Sequence, residues 1–435
     1  MTDRPFVPTL LLAASLALLA AEPAAAQSFR GIGSRVSPLP SPSELSPLDL
    51  DRAWWGQAPV SYGRDVIQEL YVDEDNVYAV SRQGLVTAFD AETGQRLYAT
   101  LLGSAAERAE GIATNSTMLL APVGMELIAI DKFSGVEMFR LRLDGQPSTG
   151  PGVDDERVYV GTVDGSVYAY DLRRIRELFN DGRLPEFSHV ARDWRFQGFG
   201  EITAPPVSTG RELNFATGRG VMYGLIASDR KLIYQFMTEG QIVAPVTRTE
   251  GRVLIPSTDL NVYSINDATG QLQWTFPTGT PVVVAPQYVA GRVYVVPERR
   301  GLHAVDVETG KLVWRQPSSG AVLSATPTSV YTSALGGRLL RLDHATGEIT
   351  GELAMAKFTV RIGNERTDRL YLATPSGLLV CLKETGRDFP SYYRFPDRAP
   401  IVPELFDPER HATPDVAGEE SDETGDAAAE DDIAP

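Results

Sequence analysis

His303–Pro317 reads HAVDVETGKLVWRQP, and Tyr263–Pro277, forty residues earlier, reads YSINDATGQLQWTFP. A catalytic motif is not written twice, so the pair points to an internal repeat, and repeats of about forty residues govern the whole fold. Aligned on the Thr/Ser-Gly step, the same phrase recurs as TAFDAETGQRLYATL from Thr87, IAIDKFSGVEMFRLR from Ile128, LRLDHATGEITGELA from Leu340 and LVCLKETGRDFPSYY from Leu379. The glycines Gly94, Gly135, Gly270, Gly310, Gly347 and Gly386 are 41, 135, 40, 37 and 39 residues apart. The long gap holds two worn copies. RVYVGTVDGSVYAYD (Arg157–Asp171) departs after Asp171, and in LNFATGRGVMYGLIASDRKLIYQF (Leu213–Phe236) Ser228-Asp229 stands for Thr-Gly. Eight units result.

Within a unit, β-branched and aromatic runs of about five residues alternate with turn residues, which is a strand pattern and not a helical one. The step led by Asp90, Asp131, Asn266, Asp306 and Asp343 reads as a tight turn, in which the Asx side chain bonds amides two and three residues on and Gly accepts a positive φ. Tyr98, Phe139, Trp274 and Trp314 stand four residues after their glycines, spaced to fill the wedge between neighbouring units. Four strands per forty residues is the mark of a propeller blade. The expected fold is all-β, an eight-bladed β-propeller of four-stranded antiparallel blades over 51–400. Closing the ring needs a strand lent from the other chain end. Asp51–Val60 (DRAWWGQAPV) is the favoured donor and Ser391–Phe395 (SYYRF) the alternative.

The ends read differently. Arg4 precedes the apolar stretch LLLAASLALLA (Leu10–Ala20), and Ala24 and Ala26 stand ahead of Gln27, the layout of a secretory signal cleaved after Ala26. It is too short to span a bilayer, and export to the periplasm or beyond is expected. No cysteine follows it to carry a lipid. Residues 27–50 are Pro/Ser-rich and read as an extended linker. From 401 onward the chain reads as a disordered acidic tail, with eleven acidic residues against one Arg after Leu405 and little apolar bulk to bury. The net charge of −17 argues against nucleic acid, whose phosphates demand a basic face. Nothing after the signal is apolar for long enough to span a membrane, and a monomer is expected. Cys381, the one cysteine, lies in LLVCL and reads as a small buried hydrophobe.

The stretch Ala304–Trp314, A-x-D-x-x-T-G-K-x-x-W, resembles the repeat of the PQQ-type (quinoprotein-like) β-propellers, and the likeness runs through nearly all of the chain between linker and tail. The resemblance implies one of two kinds of protein. Quinone-dependent dehydrogenases of the family generally carry an adjacent Cys-Cys pair and insertions that build a calcium-bearing cofactor site; this sequence has a single cysteine. The other kind is non-catalytic, among them the BamB scaffolds of outer-membrane β-barrel assembly. The expectation is therefore a non-enzyme that binds proteins of the cell envelope, with neither PQQ nor calcium called for. A binding module for a small molecule or glycan in the central channel is the alternative, and a PQQ-dependent dehydrogenase a third.

Other chemistry finds no support in the pattern. His189, His303, His344 and His411 show no metal-ligand spacing. The acidic groups VDEDN (Val72–Asn76) and VDDER (Val153–Arg157) share one repeat position and read as turns, not calcium ligands. The departure from the repeat is an insertion in the third blade, Leu172–Arg192. Leu172, Ile175, Leu178 and Phe179 share a helical face, while Arg173, Arg174 and Arg176 add positive charge. A helix capping its own blade accounts for the apolar face; the three arginines are the candidate partner contact.

Overall fold

The repeated apolar runs become strands whose side chains alternate between the two faces of thin sheets, and each sheet buries both faces against its neighbours. The computed structural model describes residues 39–393 apart from 62, 104–106, 108 and 250. The signal, residues 27–38, the acidic tail and His411 lie outside the described residues. Eight four-stranded antiparallel sheets form a ring. Blades 1 to 7 are continuous in sequence, at 67–101, 113–142, 152–197, 207–237, 247–277, 287–316 and 319–354. Blade 8 takes three strands from 360–384 and its outer strand from the start of the chain, where Leu50–Gln57 pairs antiparallel with Leu378–Glu384. The favoured donor thus supplies the closing strand. The alternative donor does not: Ser391–Tyr393 crosses the face of blade 8 instead, with Tyr392 bridged to Thr367.

The turn that joins the third and fourth strands behaves as its residues demand. The Asp90 carboxylate accepts the amides of Glu92 and Thr93 at 3.2 and 2.7 Å and the Thr93 hydroxyl at 2.7 Å. The Gly94 N–H returns to Asp90 O at 2.9 Å with φ 72°. Asp131, Asn266, Asp306 and Asp343 repeat this arrangement. Bonds from Thr309 hold the Asp306 carboxyl below its ordinary range, so this turn stabilises the fold at neutral pH and loses that contribution only in acid. Asp171 keeps the chemistry and changes its use. It accepts the Arg173 and Arg174 amides at 2.8 and 3.0 Å and so caps helix α2, Leu172–Asn180.

Two turns differ from expectation. In blade 4 the pair that matches Thr-Gly is Asp229-Arg230, one residue later than the sequence alignment suggests. Arg230 takes the positive φ, 58°, and its N–H returns to Ile226 O. Gly386 also has a positive φ, but among the described residues no fourth strand follows it, and blade 8 takes its outer strand from the N-terminal side.

The aromatic after each turn does more than fill space. Its ring lies directly over the glycine of the next blade: Trp54 over Gly94, Tyr98 over Gly135, Tyr234 over Gly270, Trp274 over Gly310 and Trp314 over Gly347. A β-carbon on Gly310 would stand 2.6 Å from the Trp274 ring, and one on Gly347 2.4 Å from Trp314. The indoles also donate to the carbonyl beside the next blade's turn, Trp274 to Val307 at 2.8 Å and Trp314 to His344 at 3.0 Å. Phe139 has no such glycine to meet. It is buried among Tyr168, Tyr170, Leu172 and Ile175, against the helix that replaced the turn of blade 3.

Blade 7 lacks the aromatic, and Gly351 stands in its place. A β-carbon there would meet Pro47 O at 2.2 Å and Leu48 Cδ2 at 3.2 Å. The supposed extended linker is therefore ordered from Ser41 and fills the missing wedge. Ser41 and Glu44 form a capping box on the short helix α1, Pro42–Leu45, and a 3₁₀ turn follows at Ser46–Leu48. Leu45, Leu48 and Leu50 are fully buried. The sequence pattern conceals this, because Pro and Ser serve a helix N-terminus as well as a linker.

Gly310→Ala combines a positive φ with a collision against Trp274 and is expected to cost about 2–4 kcal/mol, seen as a lower urea midpoint. Leu48→Ala empties the blade 7 wedge and is expected to cost about 2–5 kcal/mol; a thermal midpoint unchanged from the parent chain would contradict that role.

Candidate functional site

Because each blade runs its strands alternately up and down, connections collect on two faces. The turn face carries the first-to-second-strand hairpins and the Asp-x-x-Thr-Gly turns. The connector face carries the second-to-third-strand hairpins and the links between blades. On the turn face a central cavity of about 960 Å³ opens along the axis, lined by the inner strands and hairpins of blades 1 to 4 and by Arg366 of blade 8.

The wall of this cavity is charged. Glu74, Asp75, Asp154, Asp155 and Glu156 face Lys132, Arg211 and Arg366. Their positions follow from turn chemistry. Asp73 accepts the Asp75 and Asn76 amides, each at 2.8 Å, and Asp154 accepts those of Glu156 and Arg157 at 2.9 and 2.7 Å. The carboxylates beside them are thereby turned toward the axis. Lys132 is buried, and although burial opposes its charge, Asp73 at 3.1 Å and Asp75 at 2.6 Å hold its ammonium above the ordinary range. Arg366 reaches Glu74. Tyr71 and Tyr78 are the aromatic rings of the wall.

After Gly386 the chain lies across blade 8 on this same face. The Arg369 guanidinium donates to Asp388 O at 2.9 Å, the Ser391 N–H to Asp368 at 3.2 Å, and the Tyr393 N–H to Arg366 O at 2.8 Å. Tyr392 reaches Glu92 of blade 1 and Tyr393 reaches Ala325 O of blade 7. The segment thus ties the seam blade to both of its neighbours.

The insertion of blade 3 stands at the rim of the turn face. Leu172, Ile175 and Leu178 are buried in the core shared with blade 2, and the Ser188 hydroxyl accepts the Arg142 N–H on the edge of the blade 2 outer strand at 2.9 Å. The insertion therefore covers a strand edge that would otherwise be open. Phe179, expected on the buried stripe, is 50 % exposed, since three side chains exhaust what a nine-residue helix can press against the blade. Arg173 and Arg176 are exposed, whereas Arg174 lies within 3.8 Å of Asp171 and 3.6 Å of Asp193. The three arginines are thus not one free cluster.

Other singled-out residues serve the fold. Cys381 is buried in blade 8, where burial pushes its thiol up to about 12. His303 is buried against Phe276, and burial lowers its pKa. Among the described residues no three His, Cys, Asp or Glu side chains converge as a metal site.

Sequence reading missed a surface on the connector face. At the end of six second-to-third-strand hairpins stands a glycine of positive φ: Gly84, Gly165, Gly220, Gly301, Gly337 and Gly377. The matching residue of blade 5 is Leu260, with φ 73° and 42 % exposure. Val243, Val283 and Val284 stand exposed on the links to either side. The signal was present as TDLN in the register of Gln-Gly, Asp-Gly and Ser-Gly, but it becomes visible only once the hairpins are superimposed.

Comparisons with known proteins agree on the family. A family model described as outer membrane protein assembly factor BamB matches residues 105–186, 187–287 and 278–388, which together span more than half of the chain. No protein of curated function matches the sequence. Among solved structures, BamB from Moraxella catarrhalis superimposes with a TM-score of 0.59 at 15% identity, covering 77% of this chain and 97% of that one. The computationally designed Ika8 protein gives a TM-score of 0.59 at 15% identity, covering 75% of this chain and 99% of that one. At such identity these two likenesses speak for the propeller alone, while the family match rests on the repeats themselves: the chain belongs to the family described as outer membrane protein assembly factor BamB.

Proposed function

We propose that the protein is an exported, non-catalytic scaffold that binds proteins of the cell envelope and serves the assembly of outer-membrane β-barrel proteins. Membership of the BamB family supports the general reading, and Leu260 is the observation on this chain that carries it. A leucine held at positive φ costs roughly 1–2 kcal/mol, and this one, half out in solvent, gains little from burial in return. Strain kept at an exposed apolar residue, beside three exposed valines, fits a contact surface better than a structural need. The exposed Arg173 and Arg176 of α2, with Arg174 beside them, form a second contact on the opposite face.

The cavity favours the same class of function. A small-molecule or glycan site gathers apolar and aromatic walls around a few convergent polar groups. This wall is instead dominated by paired charges, with two tyrosines, and suits a polypeptide better than a sugar or a quinone.

In cells that lack the chain, folded outer-membrane barrel proteins should fall in amount, as read from the heat-dependent mobility of envelope samples; unchanged levels would remove the assembly role. Leu260→Gly should keep or raise the melting temperature while lowering recovery of the envelope partner several-fold. Reversal of Arg173, Arg174 and Arg176 to Glu tests the second contact by the same capture. Full capture by both variants would exclude these surfaces, and saturable PQQ uptake with substrate oxidation would overturn the non-catalytic reading.

A further inference from the structure

On the connector face the hairpin of blade 6 is longer than that of its neighbour. Seven residues, 296–302, separate the pair Val295–His303, where five, 257–261, separate Pro256 from Val262 in blade 5. The added length carries Glu298, Arg299 and Arg300, all exposed. Arg299 has φ 57°, a left-handed backbone that disfavours any side chain. A third guanidinium joins them, since Arg315 donates to the Arg300 carbonyl at 3.0 Å. In a chain of net charge −17 carboxylates are plentiful, yet among the described residues none of these three arginines forms an ion pair. Strain and length kept for unpaired charge point to a ligand outside the fold.

Apolar side chains border the arginines on both sides. The Glu298 N–H bonds to Pro281 O and the Thr280 hydroxyl to Glu298 O, each at 3.0 Å, and the same link exposes Val283 and Val284. On the other side Gly301 lies against Pro317, and Ser319, two residues on, pairs with Ala334 of blade 7. The next residue, Leu335, is 87 % exposed, more than any other large apolar side chain among the described residues. Gly336 and Gly337, with φ 76° and 75°, turn the chain back behind it, so that the leucine stands at the tip of its hairpin. Arg338 follows, paired with Glu352 at 2.7 Å.

We propose that the hairpins of blades 6 and 7 dock on an anionic lipid surface, with Arg299, Arg300 and Arg315 meeting headgroup phosphates and Leu335 entering the layer beside them. A guanidinium presents a phosphate with several donors in a fixed fork, and at a membrane surface electrostatic attraction and buried apolar area act together. A soluble phosphate would use the arginines and leave Leu335 in water. A folded acidic partner would need a pocket shaped for one projecting leucine, whereas a fluid lipid layer closes round it. The net negative charge of the chain does not prevent the contact, because at physiological salt charges more than about 8 Å away are largely screened. The acidic cavity opens on the opposite face and is turned away from the lipid. Docking through blades 6 and 7 does not depend on Leu260 serving as a protein contact.

Vesicle binding by the full chain tests this. The protein should bind vesicles of phosphatidylglycerol and phosphatidylcholine about ten-fold or more tightly than phosphatidylcholine alone, since each arginine at an anionic surface contributes about five-fold. Arg299→Glu combined with Arg300→Glu, in a variant that melts like the parent chain, should remove that difference. A polarity-sensitive dye on Leu335→Cys should brighten with the anionic vesicles. The same dye on Val136→Cys, 64 % exposed at the turn of blade 2 on the opposite face, should not. Cys381 is buried and its thiol stays protonated, so it takes no label. Equal binding to the two vesicles, a charge reversal without effect, or equal brightening at both sites would overturn the proposal. Release by an equal concentration of inorganic phosphate would assign the arginines to a soluble anion and overturn it as well. The vesicles hold no protein, so failure here leaves partner capture through Leu260 untouched.

Discussion

An aromatic ring can lie flat on a backbone only where no β-carbon rises to meet it. In this propeller that condition is met at five consecutive-blade contacts, with a Trp or Tyr of one sheet over the Gly of the next turn. The glycine serves two demands, the left-handed backbone of the turn, which a side chain adopts only at a cost, and the close approach of the ring, with which a β-carbon would collide. Where an indole is used, its N–H ties the same two blades by a hydrogen bond. The wedge angle between sheets, and hence a ring of eight, rests on this repeated contact.

The places where the contact fails show how firmly it is required. Blade 3 has lost its turn, and helix α2 takes over, capped by the Asp that would have led the turn and packed on Phe139. Blade 4 keeps the turn with Arg230 in the glycine place, stretched so that its guanidinium donates to Arg195 O at 2.9 Å. Blade 7 has lost the ring, and Leu48 from the other end of the chain occupies the gap. The N-terminal segment therefore closes the molecule twice, as the outer strand of blade 8 and as the wedge of blade 7. The segment after Gly386 adds a third tie across the same seam on the turn face.

A ring so closed leaves two faces of different character. The turn face is inward-looking and charged, with carboxylates placed by the very hairpins that build it. The connector face bears exposed apolar residues, among them one leucine held against its backbone preference.

Strand content, blade number, most of the turn chemistry and three of the wedge aromatics, Tyr98, Trp274 and Trp314, were legible in the chain, because each is a local demand of backbone geometry that recurs every forty residues; Trp54 and Tyr234, which fill the same place, were not. The favoured closing strand was legible too, since closing a ring of sheets needs a strand lent from the other chain end. Other features belong to the assembled ring. That Pro42–Leu48 fills a gap beside Gly351, that Leu260 stands where six hairpins have glycine, and that Ser391–Tyr393 ties blade 8 to both its neighbours all depend on which distant residues become neighbours. Arg174 reads in sequence as a candidate partner contact and is drawn to Asp193, nineteen residues away on the next strand. Periodicity reports what each unit asks of its own backbone; contacts between units, and the exceptions they accommodate, arise only when the sheets are packed side by side.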